Sequence, residues 1–413
     1  MDPVLGRRRF LTAAAASAGL AVAAGAGLLD GSAVAGPNGR RRSSLSTEPL
    51  PTGLVFQSGS DGYSCFRTPG LAISGRGTVL AFCGGRVDNC RDEGNIDVVL
   101  RRSTDGGRSW GPLQLIASDG INPCKIPCPV VLPTGRILLL WLWNPTVESK
   151  EERTVRRVKV THSDDDGLTW APSRDITDQV NLPGWRWYGL GPGHGLVKQL
   201  DPGRGRIVVP ARHGVTTGRG SSHLILSDDG GLTWRVGAES RVKATNECTA
   251  TELGDGGLML NSRSDEGFRV VNVSRDGGLT MAESWTERQL VEPKNGCQAS
   301  LLTTGFDRAN RRATLLFSNP ADPLQRSNGR VRYSDDNGRR WSAGYLYSEP
   351  PPAFSGYSDL AAFANGDVGV LFESGADAAK NTGRKNSVGP GRRDRRHDGI
   401  AFRRLTIAEI RSV

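Results

Sequence analysis

Beyond its first three dozen residues, the 413-residue chain has no further long apolar run, so the sequence offers no second candidate for a membrane-spanning helix. Its seven cysteines lack metal-site spacing: Cys124 and Cys128 have no His or Cys nearby to complete a tetrahedral set, which argues against zinc. The acidic run Asp164-Asp165-Asp166-Gly167 lacks the later Glu that a calcium-binding helical hand requires. No metal or other cofactor is expected. The basic stretch Lys380–Arg396 carries no interleaved aromatic residues, so it reads as a solvated loop and no nucleic-acid partner is expected. The net charge of +10 suits an anionic partner without naming one.

The N-terminus reads as an export signal. Arg7-Arg8-Arg9-Phe10-Leu11 precedes a small-residue apolar run from Ala13 to Leu29, and Ala33-Val34-Ala35 offers a cleavage site. Paired arginines before Phe-Leu fit a twin-arginine signal over residues 1–35, and hence secretion. The run is Ala- and Gly-rich, too weakly hydrophobic for a permanent span. Residues 36–48 read as a linker, leaving 49–413 as the folded domain. An odd cysteine count leaves at least one thiol unpaired within the chain. Cys83/Cys90 and Cys124/Cys128 are close enough in sequence to bridge, but sequence alone does not establish a pairing.

What the chain does have is a repeat. Ser-x-Asp-x-Gly-x-x-Trp begins at Ser103, Ser163, Ser227 and Ser334, and a fifth copy at Ser274 ends in Met281 instead of Trp. Most copies are roughly 60 residues apart, the mark of a repeat architecture. Ser and Asp side chains can cap backbone N–H groups, Gly supplies positive φ, and the Trp is expected to fold back over the turn. Strand-like runs precede the copies, for example Asp97–Leu100, Arg156–Val160, Leu224–Leu226 and Arg269–Val273. Each copy therefore reads as a hairpin tip of a small antiparallel sheet that cannot bury its own faces, whereas a ring of such sheets can. About 365 residues at this period make an all-β, six-bladed propeller.

The chemistry-bearing motifs lie outside the boxes. They are Phe66-Arg67-Thr68-Pro69, Gly84-Gly85-Arg86, Asp92, Gly191-Pro192-Gly193, Asn246-Glu247-Cys248, Asn261-Ser262-Arg263-Ser264, Gln325-Arg326-Ser327-Asn328-Gly329, Gly356-Tyr357-Ser358-Asp359 and Glu373. Singly, each Arg reads as a surface ion pair, Tyr357 as a core aromatic and Glu247 as a blade-edge carboxylate. In this order, from about Tyr63 to Glu373, the chain resembles the exo-sialidases (neuraminidases) of the bacterial and animal glycoside hydrolase family.

The resemblance implies a six-bladed β-propeller with its site at one end of the central axis. It implies that Arg67, Arg263 and Arg326 grip the C1 carboxylate of a sialic acid, for which planar, permanently charged guanidiniums are suited. Asp92 is implied as general acid/base; Asp88 and Asp97 are rivals in sequence, with Asp97 inside the strand pattern. Tyr357 is implied as the nucleophile and Glu247 as its base: a neutral phenol avoids the repulsion a carboxylate would meet at an anomeric carbon that already bears one. Arg86 is implied to line the pocket beside Asp92, and Glu373 to hold the first arginine. A secreted, monomeric, retaining exo-α-sialidase acting on sialylated glycoproteins, glycolipids or oligosaccharides follows. A trans-sialidase and a sialic-acid-binding propeller without turnover are the alternatives. Two stretches depart from the family. Lys125-Ile126-Pro127-Cys128-Pro129 has Ile126 where an Asn is common, leaving the acyl-group preference open. Val209-Pro210-Ala211-Arg212-His213 lacks a tyrosine that some members place near the glycerol chain.

Overall fold

Each box closes on itself by side-chain hydrogen bonds. In the first, Ser103 Oγ accepts from Gly107 N (2.8 Å) and donates to Asp105 Oδ1 (2.7 Å), which also accepts from Ser109 N (2.9 Å). The same bonds recur from Ser163, Ser227, Ser274 and Ser334. The box glycine also permits a close approach: at Gly107, with φ +92°, a Cβ would sit 2.2 Å from the Phe402 ring.

The computed structural model describes residues 52–146, 156–215, 220–376 and 397–413. Among them, six antiparallel sheets carry the fold, five of four strands and one of five. Blade 1 runs through Cys65–Ile73, Val79–Arg86, Ile96–Ser103 and Gln114–Ala117, and blade 2 through Cys124–Val131, Ile137–Trp143, Arg157–Ser163 and Arg174–Asp175. Blade 3 has Trp185–Leu190, Leu196–Val197, Ile207–Val215, Ser221–Ser227 and Arg235–Glu239. Blade 4 spans Cys248–Glu252 to Glu283–Val291, and blade 5 Ser300–Asp307 to Tyr345–Leu346. Blade 6 joins Phe354–Ala362, Val368–Gly375 and Gly399–Leu405 to the N-terminal strand Thr52–Gln57, which pairs with Gly399–Leu405 and closes the ring. The expected propeller is found. Its last blade takes a strand from each end of the domain, outside the stretch Tyr63–Glu373 on which the resemblance rests.

The apolar core lies in the wedges between blades. One cluster joins Cys128, Leu140 and Val158 of blade 2 to Leu190, Val209 and Ile225 of blade 3. The box tryptophans contribute here more than to their own turns. Trp110 meets Phe402 of blade 6 and Trp170 meets Phe82 of blade 1, whereas Trp234 does fold back to donate to Gly231 O (3.0 Å). Met281 packs into the cluster between blades 3 and 4, as an apolar substitute for Trp.

Strand direction separates boxes from motifs. In blade 1, Arg86 pairs with Cys65 and Ile96 at one end, and Val79 pairs with Ile73 and Ser103 at the other. Starts of first strands and ends of second strands therefore share one face, and boxes occupy the opposite face. The signal and linker, residues 1–48, and the whole of the basic stretch lie outside the described residues. No described helix is long and apolar enough to cross a membrane.

The pairings Cys83/Cys90 and Cys124/Cys128 do not form. The disulfide is Cys65–Cys90, with Cys83, Cys124, Cys128, Cys248 and Cys297 buried as free thiols. Cys83 and Cys128 point into inter-blade core, while Cys65 starts the innermost strand directly beneath the loop that carries Cys90. The bridge ties that loop, and Asp92 two residues on, to the propeller. Cys65→Ser is expected to cost about 2–4 kcal/mol of stability and to lower activity by loosening the Asp92 loop. Denaturant melts and kinetics check this, and a variant matching wild type in both would remove the anchoring role.

Candidate active site

At the axial end opposite the boxes, the backbone bends to aim polar side chains inward. In the first strand of blade 1 the register shifts between Arg67 and Gly70, with Thr68 at φ 58°; in blade 6 it shifts between Ser355 and Ser358, around Tyr357. Positive φ in a β-branched residue is uncommon and clusters where a site is being shaped. These bulges turn Arg67 and Tyr357 toward one another, with the Arg67 guanidinium 5.5 Å from the phenol ring. Arg326, from blade 5, sits 5.3 Å from the same ring.

Glu373 organises this pair from below. It is wholly buried; its Oε1 accepts from Arg67 Nε (3.1 Å) and Thr68 N (3.0 Å), and its Oε2 from Tyr357 N (3.2 Å). One carboxylate thus fixes both an expected substrate-binding cation and the expected nucleophile. Gly356 makes room for it, since a Cβ there would lie 2.3 Å from Glu373 Oε2.

The Tyr357 hydroxyl donates to Glu247 Oε1. Glu247 precedes the first strand of blade 4 and is 4% exposed. Burial alone would raise its carboxyl, but Arg212 at 3.4 Å and Arg263 at 2.7 Å hold it below its ordinary range. Tyr357 is pushed the other way: burial and the Glu247 charge raise the phenol far above its ordinary value, only partly offset by Arg326, Arg263 and Arg67. The resting state is therefore a neutral phenol hydrogen-bonded to an ionised carboxylate, the arrangement a base-activated nucleophile needs.

Asp92 stands on the other side, its side chain 76% exposed. Arg86 Nη2 donates to its Oδ1 at 2.8 Å, and Arg67 Nη1 lies 3.7 Å away. The cost of desolvation is outweighed by Arg86, Arg67 and Lys125, which hold the carboxyl well below its ordinary range. A general acid needs the opposite. An anion engaging Arg67 would take that charge from Asp92 and add a negative one nearby, and both changes would raise the Asp92 carboxyl. Asp97, its sequence rival, is buried and accepts from the Tyr63 hydroxyl (2.8 Å), a structural role.

Arg67, Arg86, Asp92, Glu247, Arg263, Arg326, Tyr357 and Glu373 all fall at this one end. Arg212 and Lys125 are among the residues here that sequence reasoning missed. Arg212 is 8% exposed and partners Glu247, in the stretch noted only for its lack of a tyrosine. Lys125 is 6% exposed and donates from Nζ to Asp92 O (2.7 Å). Its neighbour Ile126, the residue that stands where an Asn is common, is buried in the core cluster between blades 2 and 3. The signal for Lys125 was present: Lys-Ile-Pro repeats the basic-x-Pro pattern of Arg67-Thr68-Pro69 in the preceding blade.

Comparison with known proteins agrees with this geometry. Residues 77–370 match the BNR repeat-like domain family. The chain is 32% identical to a sialidase of Micromonospora viridifaciens over 90% of its length and 29% identical to a sialidase of Bacteroides fragilis over 78%. It spans only 59% and 62% of those two relatives' lengths. A solved Hadza microbial sialidase superposes with a TM-score of 0.74 at 28% identity, covering 87% of this chain and 69% of that one. The repeat family, the propeller and the ordered site motifs converge: the chain belongs to the sialidase superfamily of BNR-repeat β-propellers.

Proposed function

We propose that this chain is a secreted, retaining exo-α-sialidase that releases terminal α-linked sialic acid from glycoconjugates through a tyrosyl intermediate. The observation that carries the reading is the Tyr357–Glu247 hydrogen bond set among Arg67, Arg263 and Arg326. The guanidiniums take the C1 carboxylate and orient the anomeric carbon over the Tyr357 oxygen. As that oxygen attacks, its proton passes to Glu247, and Asp92 protonates the departing glycosidic oxygen. Water then attacks the anomeric carbon with Asp92 as base, the bond to the Tyr357 oxygen breaks, and that oxygen takes its proton back from Glu247, giving retention. The fixed cations need no reorganisation as charge shifts, so they stabilise the oxocarbenium-like state. The twin-arginine pattern supports export.

Release of 4-methylumbelliferone from its α-N-acetylneuraminide by residues 36–413 tests the activity; no release, with N-glycolyl and deaminated sialosides also inert, would leave a binding propeller. Lactose added as acceptor separates hydrolysis from transfer. Asp92→Ala tests the acid role by leaving-group dependence: the loss is expected to be about 10²–10⁴-fold on sialyllactose and much smaller on the aryl glycoside, whose phenolate leaves without a proton. Equal losses on both would assign Asp92 to binding alone.

A further inference from the structure

Blade 2 repeats, with a lysine, the device by which blade 1 presents Arg67. Arg67-Thr68-Pro69 and Lys125-Ile126-Pro127 share a register shift after the basic residue and a left-handed central residue, at φ 58° and 56°. Lys125 therefore reaches the same end of the axis. There it joins Arg156, just before the strand Arg157–Ser163, and Arg212. Arg156 and Arg212 both lie against the Trp187 ring, at 4.2 and 4.4 Å from its centroid. Gly189 leaves the space Arg212 occupies, since a Cβ there would be 2.7 Å from Arg212 Nε.

These cations are placed at a cost. Burial and the neighbouring Arg156 push the Lys125 ammonium down to about 7, and burial and Arg212 push Arg156 down to about 9; Asp92 and Glu93 offset this only in part, and Arg86 adds to the crowding at Lys125. Lys125 Nζ donates to Asp92 O and Arg156 Nη1 to Tyr188 O (3.1 Å), both backbone carbonyls that neutralise no charge. Arg156 Nε and Arg212 Nε are buried with no hydrogen-bond partner among the described residues. Three described carboxylates on this face pair with other cations: Asp92 with Arg86 and Arg67, Glu247 with Arg263 and Arg212, Glu373 with Arg67. The substrate's C1 carboxylate goes to Arg67, Arg263 and Arg326. Its binding leaves Lys125 and Arg156 without a carboxylate ion pair among the described residues, with spare donors there on Arg156 and Arg212.

We propose that Lys125, Arg156 and Arg212 form a second anion-recognition wall, and that the site selects sialosides carrying a second anionic group close to the scissile bond. The inference rests on the sialidase reading. Lys125 holds the backbone of the general acid, so the wall borders the place where the glycosidic oxygen departs. A second negative charge can come from the carboxylate of another sialic acid in the leaving group or from a sulfate ester on the sialyl unit.

The test compares kcat/KM within matched pairs at low salt. One pair is an α2,8-linked sialic acid dimer and the same dimer with its leaving-group carboxylate amidated. The other is an O-sulfated 4-methylumbelliferyl sialoside and its unsulfated parent. Wild type is expected to prefer the anionic member of one pair by about tenfold, roughly one charge-assisted contact, and to lose the preference as salt rises. The pair showing it identifies the source of the charge. In Arg156→Gln the ratio is expected to fall to near one, and in Arg156→Lys to return most of the way, with melting curves confirming that both variants fold. Ratios near one in wild type for both pairs overturn the proposal. Absence of hydrolysis of the neutral members as well would instead overturn the sialidase reading.

Discussion

Tyr357→Phe is expected to lower kcat on a natural sialoside by about 10³-fold, roughly 4 kcal/mol of barrier, with little change in stability. Phe keeps the ring that lies beside Arg67 and Arg326 and removes only the hydroxyl bonded to Glu247. Glu247 is not left unpaired, because Arg263 and Arg212 still hold it. The clamp for the substrate carboxylate remains, so KM should move far less than kcat, the split expected when an interaction made in the transition state is lost. A second readout is stereochemical: the anomer of sialic acid first released, followed by NMR, should be retained in wild type. A variant within tenfold of wild type that still releases the retained anomer would show that Tyr357 is not the nucleophile.

Glu373→Ala should damage both fold and activity. The carboxylate accepts from Arg67 Nε, Thr68 N and Tyr357 N, and its removal strands those donors in the interior and leaves the guanidinium without its closest counter-charge. Breaking one side of a buried pair costs about 3–5 kcal/mol, which a denaturant melt would read directly. Glu373→Gln keeps a neutral acceptor and should recover part of that stability. Because Glu373 acts through Arg67 and the Tyr357 backbone, its loss should raise KM as well as lower kcat, unlike Tyr357→Phe. A Glu373→Ala protein within 1 kcal/mol of wild type and with unchanged KM would reduce Glu373 to a filler of buried space.

The pH behaviour follows from the same charges. With Asp92 held low in the free site, substrate binding should be accompanied by proton uptake near Asp92 as Arg67 turns to the incoming carboxylate. The basic limb of the kcat profile should then report Asp92 in the complex and disappear in Asp92→Asn. Titration calorimetry in buffers of different ionisation heat checks the uptake, and none on binding a non-hydrolysable sialic acid analogue would sink this account.

What the sequence determined by itself was whatever depends on neighbours in the chain. The boxes were legible because Ser103, Asp105 and Gly107 satisfy one another within four residues, and their period set the number of blades. The site motifs were legible by their order along the chain and by residue types that few other chemistries require together. Tertiary structure decided what depends on distant segments meeting. Thr52–Gln57 closes the ring only because Gly399–Leu405 presents an unpaired edge. Cys65 found Cys90 rather than Cys83 finding it, because the alternation of side chains along Val79–Arg86 puts Cys83 in the core between blades. Arg212 reached Glu247, and Lys125 reached the Asp92 loop, because antiparallel strands bring the first-strand starts and second-strand ends of every blade to one end of the axis. A local pattern can show a basic residue before a proline. Only the assembled ring shows which cations, Lys125, Arg156 and Arg212 among them, share that end of the axis.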